Sequence, residues 1–408
     1  MRHLILVAYL LPLCISAQGQ DLRANSVNIF LDCHCDQQFI KQEIPYVNYV
    51  RDRKEADIHL IVTRMSTGSG GDQFTLRFIG QREFLGVNDT LSFNQTAMAT
   101  SDETRKEQLK YIKGGLFRYI VKSEIFDQIS ITHNIETNDE EIMEDRWNSW
   151  VFDAGVNGYV SGESSYNQGS VWGEISATKI TPDWKLEFST EYSLDKSNFD
   201  YESTVISTKR ESYFGRALVV KSIDEHWSAG GRVNYASSIY QNYKNKISIQ
   251  PAIEYNFFPY SEAVTKQFRI QYRIGPEIIE YKDSTIYNQL KQNLVQHSLL
   301  GSFRTKQKWG SISASVSYYN YLHDWSKNRT RFSTNFNIRI VKGLSVQLSM
   351  GASIIHDQLN LANGGASAEE LLTRQKEIAT SFNLFSSFGL NYTFGSIYNN
   401  VVNPRFGN

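Results

Sequence analysis

The sequence predicts a mainly β protein: an antiparallel transmembrane β-barrel of about twelve strands, preceded by a small α+β periplasmic domain. Three observations carry this. From about residue 149 onward, segment after segment alternates apolar with polar or small residues over about ten positions, the length a tilted strand needs to cross a bilayer. Several connections between these segments are very short, and some alternate ones are long and polar. The chain also opens on an apolar leader of export type. Composition agrees. The 408 residues carry 42 Lys+Arg against 43 Asp+Glu, a net charge of −1, so no whole-chain electrostatic footprint for nucleic acid exists. Mean hydropathy of −0.40 excludes a bundle of apolar membrane helices but not a barrel, where each lipid-facing side chain is offset by a polar lumen-facing one. Seven prolines and 13% aromatic residues argue against a disordered chain.

Taken in order, MRHLILVAYLLPLCISAQGQ has a basic start, an apolar run over Leu4–Leu13 and small residues at Ser16-Ala17, so 1–17 reads as a signal peptide. Cys14 follows Leu13 rather than a small residue, against lipid attachment. Export leaves Cys33 and Cys35, in FLDCHCD, in an oxidising space. A disulfide across two residues is strained on an extended strand but feasible in a turn. Free or intermolecular thiols are the alternative, and a metal site lacks a second cluster of ligands.

Residues 21–128 read as the periplasmic domain. Val27–Leu31 is an apolar strand, and Asp36 N-caps a short helix with Phe39, Ile40 and Ile44 on one face. Ala56–Arg64 and Asp72–Gly80 form a hairpin around a glycine-rich connection, and Asp89–Thr96 adds a strand. Thr100-Ser-Asp-Glu103 is a capping box opening a helix to about Ser123. The glycines at 68–71 lead into a strand, so a phosphate-binding loop is not indicated. Residues 129–148 read as an acidic linker.

The barrel, 149–394, is expected to contain strands at about 151–161, 170–180, 183–194, 211–222, 226–239, 244–258, 266–280, 293–305, 309–322, 329–341, 343–356 and 379–394. Long outer loops are expected at 195–210, 281–292 and 357–378. Trp184, Tyr192, Tyr255, Phe257, Tyr392 and Phe394 sit at strand ends as interfacial girdles. Aromatics are assigned to the lipid side, and the polar face points inward with Glu187, Glu191, Arg216, Arg232, Glu254, Arg269, Arg273, Glu277, Arg331 and Arg339. Glu254 is placed to pair with Arg269 or Arg273. Such a ladder either fills and rigidifies the barrel or lines a narrow, charge-selective pore.

The stretches FLDCHCDQQFIKQEIPYVNYVRDRKEADIHLIVT, TGSGGDQFTLRFIG, DRWNSWVF and NYTFGSIYNNVVNPRFGN resemble an uncharacterised family of outer-membrane barrel proteins of Bacteroidota-type bacteria. The resemblance spans nearly the whole mature chain and implies an outer-membrane barrel with a periplasmic N-terminal domain. It transfers no substrate and no catalytic residue. One departure is the tail, 395–408, which follows Phe394 where such chains often end on a terminal aromatic. Asp89-Thr90-Leu91 and Asp283-Ser284-Thr285 resemble the short O-glycosylation pattern of these bacteria, with Thr90 the periplasmic acceptor.

Two functional classes follow: a narrow solute pore, or an envelope anchor whose N-terminal domain binds peptidoglycan or a periplasmic protein. A phospholipase-like membrane hydrolase is the alternative. It is disfavoured because His297 and Ser298 are adjacent, so a strand sends them to opposite faces. No cofactor, metal or nucleic-acid partner is indicated; outer-membrane lipid is the expected surrounding.

Overall fold

The computed structural model describes residues 26–67, 70–129, 145–201, 204–364, 376–396, 400 and 405. The leader and nearly all of the acidic linker lie outside the described residues.

The N-terminal part is α+β. Five strands, β1 (Asn28–Asp32), β2 (Asn48–Tyr49), β3 (Ile58–Ser66), β4 (Asp72–Gly80) and β5 (Asn88–Gln95), order as β2-β1-β3-β4-β5. β1 runs parallel to both neighbours, while β3, β4 and β5 are antiparallel. Helix α1 (Gln37–Glu43) starts where the Asp36 carboxylate accepts from the Phe39 amide, and α2 (Ser101–Ile120) starts on a complete Thr100/Glu103 capping box. One sheet face packs on the helices through Ile29, Leu60, Leu76, Phe78, Ile112, Leu116 and Tyr119. At Gly115 a Cβ would stand 2.1 Å from the Phe78 ring, so the close seating of α2 requires that glycine.

β3 explains its own sequence. All six residues from Ile58 to Thr63 are buried, although a strand with one wet face would alternate. Ile58, Leu60 and Val62 face the helices. His59, Ile61 and Thr63 face the other way, towards the second part of the molecule.

That second part is a sheet of twelve antiparallel strands, each joined to the next: β6 (Trp150–Glu163), β7 (Tyr166–Ile180), β8 (Trp184–Tyr201), β9 (Thr204–Ser222), β10 (Trp227–Ser238), β11 (Tyr243–Asn256), β12 (Lys266–Tyr281), β13 (Lys291–Gln307), β14 (Gly310–Tyr321), β15 (Asp324–Val341), β16 (Leu344–Ile355) and β17 (Phe382–Tyr392). The sheet curls. Gln250 on β11 donates to Gln296 on β13 across the intervening strand, 3.2 Å away. Pro251 lacks an N–H, and the β11–β12 ladder skips residues 249–251 there. The strands approach so closely that a Cβ on Gly275 would lie 1.8 Å from the Ile249 carbonyl oxygen.

Three expectations need correction. The expected long loop at 195–210 is strand over 195–201 and 204–210: Ser193 and Ser212 hydroxyls, and those of Ser197 and Thr208, bond across β8 and β9. Both faces there mix polar with apolar residues, Phe199 facing Ile206 and Asp200 facing Val205, which erased the alternation that reveals a strand. Outer connections are therefore short at several hairpins, whereas those expected at 281–292 and 357–378 do coincide with long connections, 282–290 and 356–381. Ring closure is also absent from the recorded pairing: β6 and β17 end the sheet, with no ladder between them among the described residues. Both edge strands are solvent-exposed over most of their length. Finally, the aromatics are not confined to the outer surface, as Tyr243, Tyr281, Tyr319 and Tyr321 show below.

Outward-facing aromatics form two bands. Trp184, Trp227, Tyr255, Phe257 and Phe268 mark one, with ring centroids 4.7 Å apart for Trp227–Tyr255 and 4.6 Å for Phe257–Phe268. Tyr192 and Tyr213 mark the other, 4.6 Å apart. Trp184 and Tyr192 are eight positions apart on one strand, about 26 Å along it at the usual rise, or about 20 Å along the axis of a barrel with strands at the usual tilt.

Candidate functional site

The strand register assigns an inner face without ambiguity. Residues opposite one another on neighbouring strands share a face, and the pairs Ser189–Arg216, Arg216–Asn234, Arg232–Gln250, Ala252–Arg273, Arg273–Ser298 and Ser317–Arg331 extend one face across the sheet. All ten charged residues named from the sequence lie on it. On β12 that face is buried at Arg273, Glu277 and Ile279, whereas Ile270, Tyr272 and Ile278 opposite are exposed.

The ten do not act together. Glu187 is held by Lys185 on its own strand, 2.7 Å away. Glu191 stands beside Glu174 on β7. Glu254 accepts from Gln271 at 2.9 Å and from Tyr260 at 3.2 Å, and faces Arg269 at 3.8 Å. Glu277 is deeply buried, 2.9 Å from Lys246 and 3.0 Å from the Tyr321 hydroxyl that donates to it. Arg216, Arg232, Arg273 and Arg331 lie along the middle of the inner sheet face, with the Arg273 and Arg331 guanidinium carbons 5.9 and 5.8 Å from the Tyr319 ring. Arg339 leaves this group and reaches the N-terminal domain.

At the end far from that domain, the concave sheet face is covered along β11–β14. Ile279, Tyr281, Leu294 and Tyr321 form an apolar cluster with Leu359, and Tyr243 packs beside it. Leu359 belongs to a strap, residues 356–364, that folds inward after β16. The Ile286 amide donates to the Leu361 carbonyl at 2.8 Å. The Asn242 side-chain amide donates to the Asn360 carbonyl at 2.9 Å, and that of Asn360 to the Gln241 carbonyl at 3.0 Å. Arg329 pins Asp357 at 2.7 Å. None of Lys246, Tyr319, Tyr321 or the strap was identified from the sequence. Strict parity along SYYNY, with Tyr318 outward and Tyr319 and Tyr321 inward, was the signal available.

At the opposite end the N-terminal domain is seated on the turns after β13 and β15. Arg339 donates to Asp32 at 2.6 Å and lies over the Phe30 ring at 5.0 Å. Lys342 pairs with Glu55, and the Gly343 amide donates to Asp52 at 2.9 Å. Gly343 has φ +73°, the left-handed region that this tight turn requires. Lys306 reaches the Val62 carbonyl at 2.8 Å, and Asn400 of the C-terminal tail accepts from the Tyr49 amide at 2.6 Å. These contacts cover the second face of β1 and β3 and account for the six buried residues in a row. Burial would raise the Asp32 carboxyl, but hydrogen bonds from His59 and Arg339 outweigh it and hold it well below the usual carboxylate range. Burial pushes His59 down against the pull of Asp32, so its imidazole is neutral and donates through Nε2 at 3.3 Å.

Between domain and sheet lies a cavity of about 1820 Å³. Asp36, Arg64 and Arg105 line it from the domain, and Arg304, Asn335 and Gln347 from the sheet. Cys33 and Cys35, also on its wall, are disulfide-bonded in a turn that brings their Cα atoms to 5.2 Å. Thr90 is exposed on β5, and Ser284, which holds the same middle position in the second triplet, is half-buried beside the buried Thr285. His297 points outward to the Tyr272 hydroxyl, 3.5 Å away, and Ser298 is buried on the inner face, so they form no dyad.

No protein-family model matches the chain, and no curated protein matches it. Among solved structures, that of the NanC porin in a rhombohedral crystal form is similar over 59% of this chain and 99% of its own, at 11% identity and a TM-score of 0.28. At that level the likeness bears on no residue of the site.

Proposed function

We propose that the chain is an outer-membrane β-barrel with a lumen for small polar solutes, its N-terminal domain seated in the periplasm over the inner mouth. The supporting observation is the cavity of about 1820 Å³, which joins a hydrophilic inner sheet face to the domain. Two separated bands of outward-facing aromatics support the membrane setting. Lipid also demands closure, because edge N–H and C=O groups on β6 and β17 would otherwise be unsatisfied in hydrocarbon. We therefore take β6 and β17 to pair in the membrane. The strap over β11–β14 makes this a narrowed state.

Full-length protein in planar bilayers tests the reading. Small stepwise conductance is expected, and its persistent absence, with or without the strap, would leave the anchor reading. That second reading has its own support in the charged contacts that fasten the domain to the barrel turns. In it, the domain carries the function by binding peptidoglycan or a periplasmic protein.

A further inference from the structure

We propose that the lumen contains a binding site for an oxyanion, the phosphate or carboxylate group of a small solute, formed by Arg216, Arg232, Arg273 and Arg331 around Tyr319. The site deepens the barrel reading and rests on its inner face. It does not depend on conduction.

Topology makes the cluster. The four arginines come from β9, β10, β12 and β15, and the shared face of the curled sheet brings them together. Arg232 lies within electrostatic reach of both Arg216 and Arg273. Arg273 and Arg331 flank one tyrosine ring, that of Tyr319.

Of the nearby acids, Glu187 also lies within electrostatic reach of Arg232, but each acid has a nearer cation. Lys185 holds Glu187, Arg269 faces Glu254, and Lys246 holds Glu277. Among the described residues, no carboxylate oxygen lies within 4 Å of any of the four guanidinium groups; every ion pair at that distance uses other partners.

Burial makes the imbalance costly. Arg273 is 8% exposed and Ser298, its register partner, 1%. Arg273 Nε, Arg232 Nε and Ser298 Oγ are all buried without a hydrogen-bond partner. Arg216 and Arg331 are exposed, but Arg273 is buried and Arg232 half-buried, and two such enclosed like charges with unused donors are destabilising unless an anion joins them. Guanidinium forks match the paired oxygens of carboxylate and phosphate, and the Ser298 hydroxyl adds a donor. Gln250 and Gln296, bonded to each other at 3.2 Å, supply neutral polar wall beside Arg232.

The test uses full-length protein in detergent micelles, its heat-unfolding midpoint read by tryptophan fluorescence at constant ionic strength. Inorganic phosphate, or succinate in the carboxylate arm, replaces chloride. Wild-type protein gains about 3 °C or more with at least one of the two. Arg273→Gln loses that gain, yet starts from a higher midpoint without anion, because an uncompensated buried charge is gone. Arg304→Gln, at the inner cavity, keeps the gain. No shift in wild type with either anion overturns the site. So does a gain that survives Arg273→Gln, or a variant merely less stable with the anion response intact. A barrel that conducts without any anion-dependent shift loses the site and keeps the pore.

Discussion

Arg339 on β15 donates a 2.6 Å bond to Asp32 on β1, joining residues 307 positions apart and fastening the N-terminal domain to the barrel. Side-chain exposure is 30% for Arg339 and 20% for Asp32, so water screens the pair only in part. Asp32→Asn should weaken docking by about 1–3 kcal/mol, below the cost of breaking a fully buried pair. Protease cleavage within 129–148, followed by the fraction of domain retained on the barrel, measures this. Retention equal to wild type would show that the remaining contacts suffice.

Acid should loosen the same joint in two stages. His59 has a lowered folded pKa, so the unfolded state binds the extra proton first and stability falls as pH drops below about 6.5. Asp32 is also lowered, so its contribution is complete above about pH 4 and disappears only as pH falls towards its depressed folded value. Domain unfolding between pH 7 and 5 should follow the first stage, and His59→Gln should flatten it. An unchanged slope in that variant would place the proton uptake elsewhere.

The strap should restrict the outer mouth. A disulfide introduced by Asn242→Cys with Asn360→Cys would fix it in place, and removal of 357–363 would free it. Conductance in bilayers is expected to fall or stay small in the locked form and to rise on deletion or reduction. Equal conductance in all three forms would remove the strap from the permeation route.

Gly275 allows β11 and β12 to approach where the sheet curls most tightly. Gly275→Val forces atoms against the Ile249 backbone and should cost more than about 2 kcal/mol. Urea unfolding in micelles reads it; a variant as stable as wild type would mean the curl is softer than the strand spacing implies.

The twelve long strands were legible because their apolar–polar alternation is sustained over about ten positions, and each of the twelve expected segments overlaps an observed strand. Legibility stopped where that alternation stops. Beyond Tyr192 and Tyr213 the alternation fails on β8 and β9, where Phe199 pairs with Ile206 and Asp200 with Val205, so 195–210 read as loop. In the N-terminal domain, capping at Asp36 and Thr100 was visible because it is local. The two-residue strand β2 was not, since its pairing depends on β1 twenty residues earlier. The inner charged face followed from parity alone. The division of its residues into satisfied pairs, a docking arginine and a central cluster depends on which strands become neighbours and how far they curl, which no local pattern encodes. Tyr319 and Tyr321 were hidden by the preference of aromatics for lipid.

The central claim is a twelve-stranded barrel closed in lipid. A density map of the full-length protein in lipid nanodiscs tests it most directly, at the junction of β6 and β17. Continuous backbone hydrogen bonding between those two strands, with the N-terminal domain on the turns near Arg339 and Gly343, is the predicted result. Unpaired β6 and β17 edges facing lipid, or the strand of another chain bound to either edge, would contradict it.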